Sequence, residues 1–185
     1  MRKQPEITEK TKQKFEDAFW ELAAEKPISK IAVSELTKRA GYNRSTFYEY
    51  FVDTDHLLNY VEKKLLDETK ATIIQVYAEN VSLENLFPII FMAMNEKIYI
   101  LMGPNGDSGF HAKIKEEIIP LVTKYFPIPA DAPNFDYLSS FVNSAMFGLL
   151  QHWNEKGKDI SSEEISGMMQ SLVLHGLLNY VTPRV

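Results

Sequence analysis

Three features of this 185-residue chain predict an all-α fold. Apolar residues recur every three or four positions along most segments, and Ser, Thr, Asn, Asp and Gly stand where helices need caps and stops. No alternating strand pattern of useful length occurs. Apolar residues make up 45% of the chain, enough for a real core, and the length suits one large domain or two small ones.

The first helix is expected over 9–25, where Phe15, Ala18, Phe19, Leu22 and Ala23 share a face, Thr8 can cap the start and Pro27 lies just past the end. Ser34 is a good N-cap for a second helix over 35–40, which Gly41 can stop by taking left-handed geometry. Asn43 caps a third helix reaching about Phe51. Asp53 caps a fourth, with Leu58, Val61, Leu65 and Ile73 as its inward stripe. The pattern breaks at 80–82. A helix over 83–102 follows, with Pro88 near its first turn, where proline is best tolerated.

Residues 103–109, rich in Gly, Pro, Asn and Asp, must be a loop. Helical spacing resumes over 110–126, where Pro120 should kink or divide the helix, and 127–133 is a second irregular connector. Two strong helices close the chain at 134–156 and 161–181, joined at Gly157. Ser161 with Glu164 forms a capping-box pattern at the start of the second.

Charge is unevenly placed. The net charge is -5, yet residues 1–55 hold ten Lys/Arg against ten Asp/Glu, so the whole deficit lies in residues 56–185. A bulk polyanion binder is therefore not expected, and any nucleic-acid contact must come from a small, positioned patch. There is no cysteine, which excludes disulfides and thiolate metal sites and suits a reducing cytoplasm. The polar start has no apolar leader core, and no apolar run approaches the roughly 20 residues of a membrane span. A soluble cytoplasmic protein without membrane contact is expected.

Residues 33–51 carry the functional signal: a short helix, a glycine turn and a second short helix, the pattern of a DNA-reading helix-turn-helix. Phe47 and Phe51 are four apart and can pack on Phe15, Phe19, Leu36 and Ala40, which leaves the opposite side open. That side presents Tyr42, Asn43, Arg44, Ser45, Thr46 and Tyr48 at the end such motifs insert into the major groove. Arg44 can pair bidentately with guanine, or serve as a phosphate clamp. Ser45 and Thr46 can reach bases or phosphates, and Thr46 or Tyr42 can meet a thymine methyl. Tyr48 and Tyr50 suit phosphates, which set register rather than sequence. Ser34, Lys38 and Thr54 complete the candidate contact set for double-stranded DNA.

Ala40-Gly41, Thr46-Phe47-Tyr48, Tyr50-Phe51 and Leu57-Leu58 together resemble the N-terminal signature of the TetR family of bacterial transcription regulators. Residues 101–107 before Phe110, and Phe147-Gly148 before Trp153 and Gly157, resemble the C-terminal half of one subgroup. The resemblance implies a DNA-binding domain over 1–53 and an effector-binding and dimerisation domain over 54–185. It implies a homodimer whose last two helices form a four-helix bundle, with the middle helices enclosing a small-molecule effector pocket. Ligand then moves the fourth helix and spreads two DNA-reading heads. Phe87, Phe91, Met94 and Tyr99 suit the pocket, although core packing explains them equally well, and the resemblance puts Trp153 near the dimer or pocket wall. The expected function is a ligand-responsive repressor on a palindromic operator; the alternative is a coactivator or protein-binding module of the same fold.

Helical spacing independently gives an interface. Leu138, Phe141, Val142, Ala145 and Leu149 on one terminal helix match Ile165, Met169, Leu172, Gly176 and Tyr180 on the other, and Gly148 permits close approach. This is more apolar stripe than a lone hairpin buries, which favours a symmetric bundle. No cofactor, metal or catalytic role is expected. His56, His111, His152 and His175 are scattered without a second ligand at metal-site spacing, and no nucleophile elbow accompanies His111, Asp107 and Ser108.

One departure from the family stands out. Its common lysine at the start of the fourth helix is Thr54 here, between Asp53 and Asp55. The hydroxyl and the helix N-terminus can still meet a phosphate, but the basic contact is lost and affinity must lean on Lys10, Lys12, Lys14 and Lys38. The expected salt slope is modest, on the order of four to six phosphate contacts per head. Plotting the logarithm of the binding constant against that of salt concentration checks this, and a slope near zero contradicts it.

Overall fold

A computed structural model describes residues 5–79, 96–125 and 134–181, and every ordered element among them is helical. The helices are α1 (Pro5–Glu25), α2 (Val33–Ala40), α3 (Arg44–Tyr48), α4 (Thr54–Ala78), α5 (Glu96–Met102), α6 (Phe110–Glu117), α7 (Ile119–Tyr125), α8 (Phe135–Glu155) and α9 (Ser162–Val181), with a 3-10 turn at Ile28–Lys30. Packing divides them into two compact units. One holds the described residues up to Asp67 together with Ile100–Ala112, and the other holds the rest.

Several boundaries differ from expectation for local reasons. The first helix starts at Pro5, four residues early, because proline suits a first turn and Thr8 lies within the helix; the Thr11 hydroxyl donates back to the Ile7 carbonyl. Ser34 is not a cap. Ala32 takes the extended cap geometry, Glu35 Oε2 accepts its amide at 3.1 Å, and Ser34 becomes the second residue of α2. Gly41 stops α2 as expected, at φ 74° and ψ 27°. The third helix ends at Tyr48 rather than Phe51, although the Phe51 amide still reaches the Phe47 carbonyl at 2.9 Å. The stretch from 110 splits at Ile118 into α6 and α7, with Pro120 in the first turn of α7. Ser161 and Glu164 form the reciprocal cap of α9, at 3.1 and 2.9 Å.

The first unit is held by an aromatic core. Phe15, Phe47 and Leu36 are fully buried, and Phe19 and Phe51 nearly so. Deleting one such ring costs about 3–5 kcal/mol. Polar ties fix the helices around it. Glu16, 2% exposed on α1, accepts Lys64 Nζ of α4 at 2.7 Å, and Trp20 Nε1 lies 3.4 Å from the same carboxylate. The Arg39 fork on α2 holds Glu25 through both terminal nitrogens, at 2.9 and 3.1 Å, and reaches Glu21 at 3.1 Å. In the second unit Met146 and Leu150 of α8 interlock with Ile165 and Met169 of α9, backed by Val142, Leu149, Trp153 and Ile160.

The clamp between α1 and α2 is pH-sensitive. The Arg39 hydrogen bond lowers the Glu25 carboxyl below its ordinary value, and the Lys26 hydrogen bond does the same for Glu35. Carboxylates depressed in the folded state contribute stability above the unfolded value of 4.5 and lose it as pH falls through the lower folded value. Arg39→Gln is therefore expected to lower the urea midpoint at about pH 7, with the difference from wild type vanishing in acid. A gap that does not narrow as pH falls below 4.5 refutes this.

Candidate nucleic-acid interface

The candidate site begins at Phe15. Its ring meets Phe47 edge-on with centroids 5.3 Å apart, Phe51 edge-on at 6.2 Å and Tyr42 at 5.4 Å, while Phe47 and Phe51 lie 5.6 Å apart. Phe47 on α3 and Phe51, three residues past its end, both seat against Phe15 and so fix the rotation of α3 about its own axis. The expected packing of Phe47 and Phe51 on α1 is thus present. Tyr42, Asn43, Arg44, Ser45 and Tyr48 are exposed, Tyr48 at 57%, and Thr46 and Tyr50 are half-buried. Ser34 and Lys38 are exposed on α2, and Thr54 is half-buried at the start of α4.

Asn43 does more than cap. Its Oδ1 accepts three donors: the Thr46 amide at 2.8 Å, the Thr46 hydroxyl at 2.9 Å and the Ser45 hydroxyl at 2.7 Å. The acceptor side of Asn43 is committed, so the bidentate pairing by which asparagine reads adenine would have to break the cap. The hydroxyl protons of Ser45 and Thr46 are spent locally, and their oxygens remain as acceptors. Arg44 and Tyr48 are the exposed donors of α3 that no such local bond engages.

Two features of the junction with α4 lie beyond what the sequence signalled. The Val52 amide donates to His56 Nδ1 at 3.1 Å, with the Phe51 ring 5.8 Å from the imidazole, so a histidine with no expected role shapes the turn. Asp53 Oδ1 accepts the His56 amide at 2.7 Å, as a cap should. That aims one of the two carboxylates beside Thr54 into the helix end. Lys10, Lys14 and Lys38 are exposed, whereas Lys12 is half-buried, 3.4 Å from Glu9 and 5.5 Å from the Tyr60 ring centre.

The other expected sites fare unevenly. Phe87, Phe91 and Met94 lie outside the described residues. Tyr99 is half-buried on α5 and stacks on Phe147 of α8, with centroids 6.3 Å apart. Trp153 stands at the corner between α8 and α9. Its Nε1 donates to the Ile160 carbonyl at 2.9 Å and Lys158 lies over its ring, at a turn where Gly157 and Lys158 both take left-handed geometry. Of the expected interface residues, Phe141, Ala145, Gly148 and Leu172 are exposed, Phe141 at 69% and Leu172 at 67%, and Leu149 is half-buried. Met169, at 3% exposure, packs on Met146 and Leu150 inside the hairpin, one position away from outward-facing Met168. The surroundings of Gly176 and of the Tyr180 side chain are not among those described. Among the described residues no helix is long and apolar enough to cross a membrane, and no acid and histidine cluster could hold a metal ion.

Comparison with known proteins bears on this geometry. Residues 17–61 match bacterial regulatory proteins of the tetR family, and residues 82–175 match a transcriptional regulator C-terminal region. No curated protein sequence matches the chain. Among solved structures, the fatty acid degradation regulator FadR from Bacillus halodurans aligns over 96% of this chain and 98% of its own, with TM-score 0.68 and 17% identity. The FadR of Bacillus subtilis, solved with stearoyl-CoA, covers 89% and 98% at TM-score 0.70 and 15% identity. A transcriptional regulator from Aquifex aeolicus covers 89% and 98% at 0.63 and 20%. At these identities the likeness is one of fold.

The shared acceptor at Asn43 yields a prediction. Asn43→Ala should cost about 0.5–2 kcal/mol of stability through the lost cap. It should also free the Ser45 and Thr46 hydroxyls, seen as faster exchange of the Thr46 amide. Unchanged exchange there would show that Asn43 does not hold the start of α3.

Proposed function

The chain belongs to the TetR family of bacterial regulators, which are DNA-binding transcription regulators, and from that premise we propose that α3 reads operator DNA in the major groove. One observation carries the proposal: Phe47 and Phe51 are locked onto Phe15 while Arg44 and Tyr48 stand exposed on α3. Arg44 reads guanine and Tyr48 holds a phosphate. Ser45 and Thr46 accept from bases, Tyr42 meets a thymine methyl, and Lys38, Ser34, Tyr50 and Thr54 contact the backbone. In this reading 1–53 is the DNA-binding domain and 54–185 carries effector and dimer functions.

We further propose a homodimer formed by the outer faces of α8 and α9. Tyr137, Phe141 and Leu172 are each at least two-thirds exposed, and nothing lies within 4 Å of where a side chain on Gly148 would begin, so a partner helix can approach closely. Two heads then meet a palindromic operator with half-sites about 34–36 Å apart. An effector that prefers a splayed conformer weakens DNA binding by its differential affinity for the two states, which makes the protein a ligand-responsive repressor.

The experiment is selection of bound duplexes from random-sequence DNA, followed by binding titrations of Arg44→Ala, Tyr48→Ala and Phe141→Asp. Arg44→Ala should cost about 1–3 kcal/mol and relax one guanine position, and Tyr48→Ala should weaken all sequences alike. Phe141→Asp should sediment as a monomer and lose affinity for the two-half-site duplex while keeping its helix content. Undiminished operator binding by the Arg44 and Tyr48 variants overturns the reading. Capture of a partner protein without DNA binding would favour the coactivator alternative.

A further inference from the structure

α2 and α9 each begin with a glutamate that reaches back. Glu35 Oε2 accepts the Ala32 amide at 3.1 Å, and Glu164 Oε2 accepts the Ser161 amide at 2.9 Å, in each case from three residues past the cap. α4 begins in a similar way with a different acceptor. Its cap is Asp53, whose Oδ1 accepts the His56 amide at 2.7 Å, and the residue three further on is His56, whose Nδ1 accepts the Val52 amide at 3.1 Å. An imidazole stands here where the other two helices use a carboxylate.

The two acceptors respond differently to acid. A glutamate stays an acceptor across the neutral range, whereas histidine is the side chain that changes charge between about pH 5 and 8. With Nδ1 accepting, the neutral ring carries its proton on Nε2. Protonation fills Nδ1, so the imidazolium and the Val52 amide then meet as two donors. It also sets a cation in the first turn of α4, where the helix dipole disfavours one. The charged groups on the elements around the ring are Asp53 and Asp55 on its own turn, Glu49 at the end of α3, and Lys12 of α1, which lies over the Tyr60 ring that packs on Phe51. The three carboxylates draw an imidazolium away from Val52, toward partners to which it can donate.

Burial does not hold this step in place, because the Val52 side chain is 73% exposed. The residue before it is Phe51, whose ring lies 5.8 Å from the imidazole and 6.2 Å from Phe15 and whose amide bonds the Phe47 carbonyl at 2.9 Å. Slack at Val52 therefore reaches the seat that sets the rotation of α3. All of these residues belong to one compact unit.

We propose that His56 is a positioning residue for DNA binding: its neutral Nδ1 holds the step from α3 into α4, and protonation releases that step, so that affinity for DNA falls in acid. Its significance rests on the DNA-reading role proposed for α3, but the release itself is testable without DNA.

The test follows wild type, His56→Asn and His56→Ala as full chains between about pH 8 and about pH 5. Asparagine offers a non-titrating acceptor at the δ position, and alanine offers none. In the free protein, nitrogen-15 spectra of the imidazole read its charge and tautomer, while exchange of the Val52 amide is read as protection relative to an unstructured chain. The neutral ring should carry its proton on Nε2, and Val52 protection should fall in step with imidazole protonation. His56→Asn should keep that protection in acid, and His56→Ala should lack it throughout. With the selected duplex, wild-type affinity should fall about threefold or more in acid beyond any change in His56→Asn, whose other titrating groups are the same. His56→Ala should bind about threefold or more weakly than wild type at the alkaline end, a loss that asparagine restores. A proton on Nδ1 of the neutral ring, or Val52 protection indifferent to imidazole protonation, overturns the acceptor role. Affinities of wild type and His56→Asn that fall in parallel overturn the role in DNA binding. Should His56→Asn leave Val52 unprotected, the wild-type profile still decides whether protonation releases the step. If wild type binds no selected duplex, the DNA-reading role fails while the free-protein titration still decides the release.

Discussion

The packing of Phe47 and Phe51 against Phe15 is the constraint on which the rest depends. α3 has five residues, far below the roughly 12–15 at which an isolated helix becomes even marginal in water, so its own hydrogen bonds cannot hold it. Its existence and its rotation are imposed by two rings sunk edge-on into a site that α1 provides. An edge-on aromatic pair contributes about 0.5–1.5 kcal/mol beyond its burial, and it also selects an angle. With that angle set, Arg44 and Tyr48 are left exposed by geometry rather than by any property of their own.

Around this core the chain spends its polar groups on holding short helices in place. Asn43 ties up the first turn of α3, Asp53 and His56 shape the step into α4, and Glu16 with Lys64 pins α4 to α1. Each bond satisfies a donor at a helix end or, at Glu16, a buried acceptor that would otherwise lack a partner, a more costly omission than the modest net worth of the bond. On the exposed side of α3 the Asn43 acceptor and the Ser45 and Thr46 hydroxyl protons are committed locally, which leaves the donors of Arg44 and Tyr48 for the contacts proposed above.

Much of this was legible in the sequence because it rests on local rules. Helical spacing placed Phe15, Phe47 and Phe51 on facing sides, Gly41 marked a left-handed stop, and Ser161 with Glu164 marked a reciprocal cap. Local rules fall short where two residues can satisfy one rule. Ser34 is chemically the better cap, but the chain caps at Ala32 because Glu35 reaches back to that amide. Met169 and Met168 differ by 100° of helix rotation, and spacing alone cannot say which faces the hairpin core. A bond from the Ile28 amide to the Asn105 carbonyl was invisible, since it joins backbone to backbone across a long separation and leaves no mark in side-chain pattern. The role of His56 was hidden because its Nδ1 works as an acceptor for an amide four residues earlier.

The most direct measurement is a nuclear magnetic resonance titration of the full chain with a selected duplex, following backbone amides residue by residue. The account predicts that the largest perturbations fall on residues 42–50 and the first turn of α4, with Phe15 and Phe19 little changed. Perturbations concentrated on the outer faces of α8 and α9, with residues 42–50 silent, would contradict it.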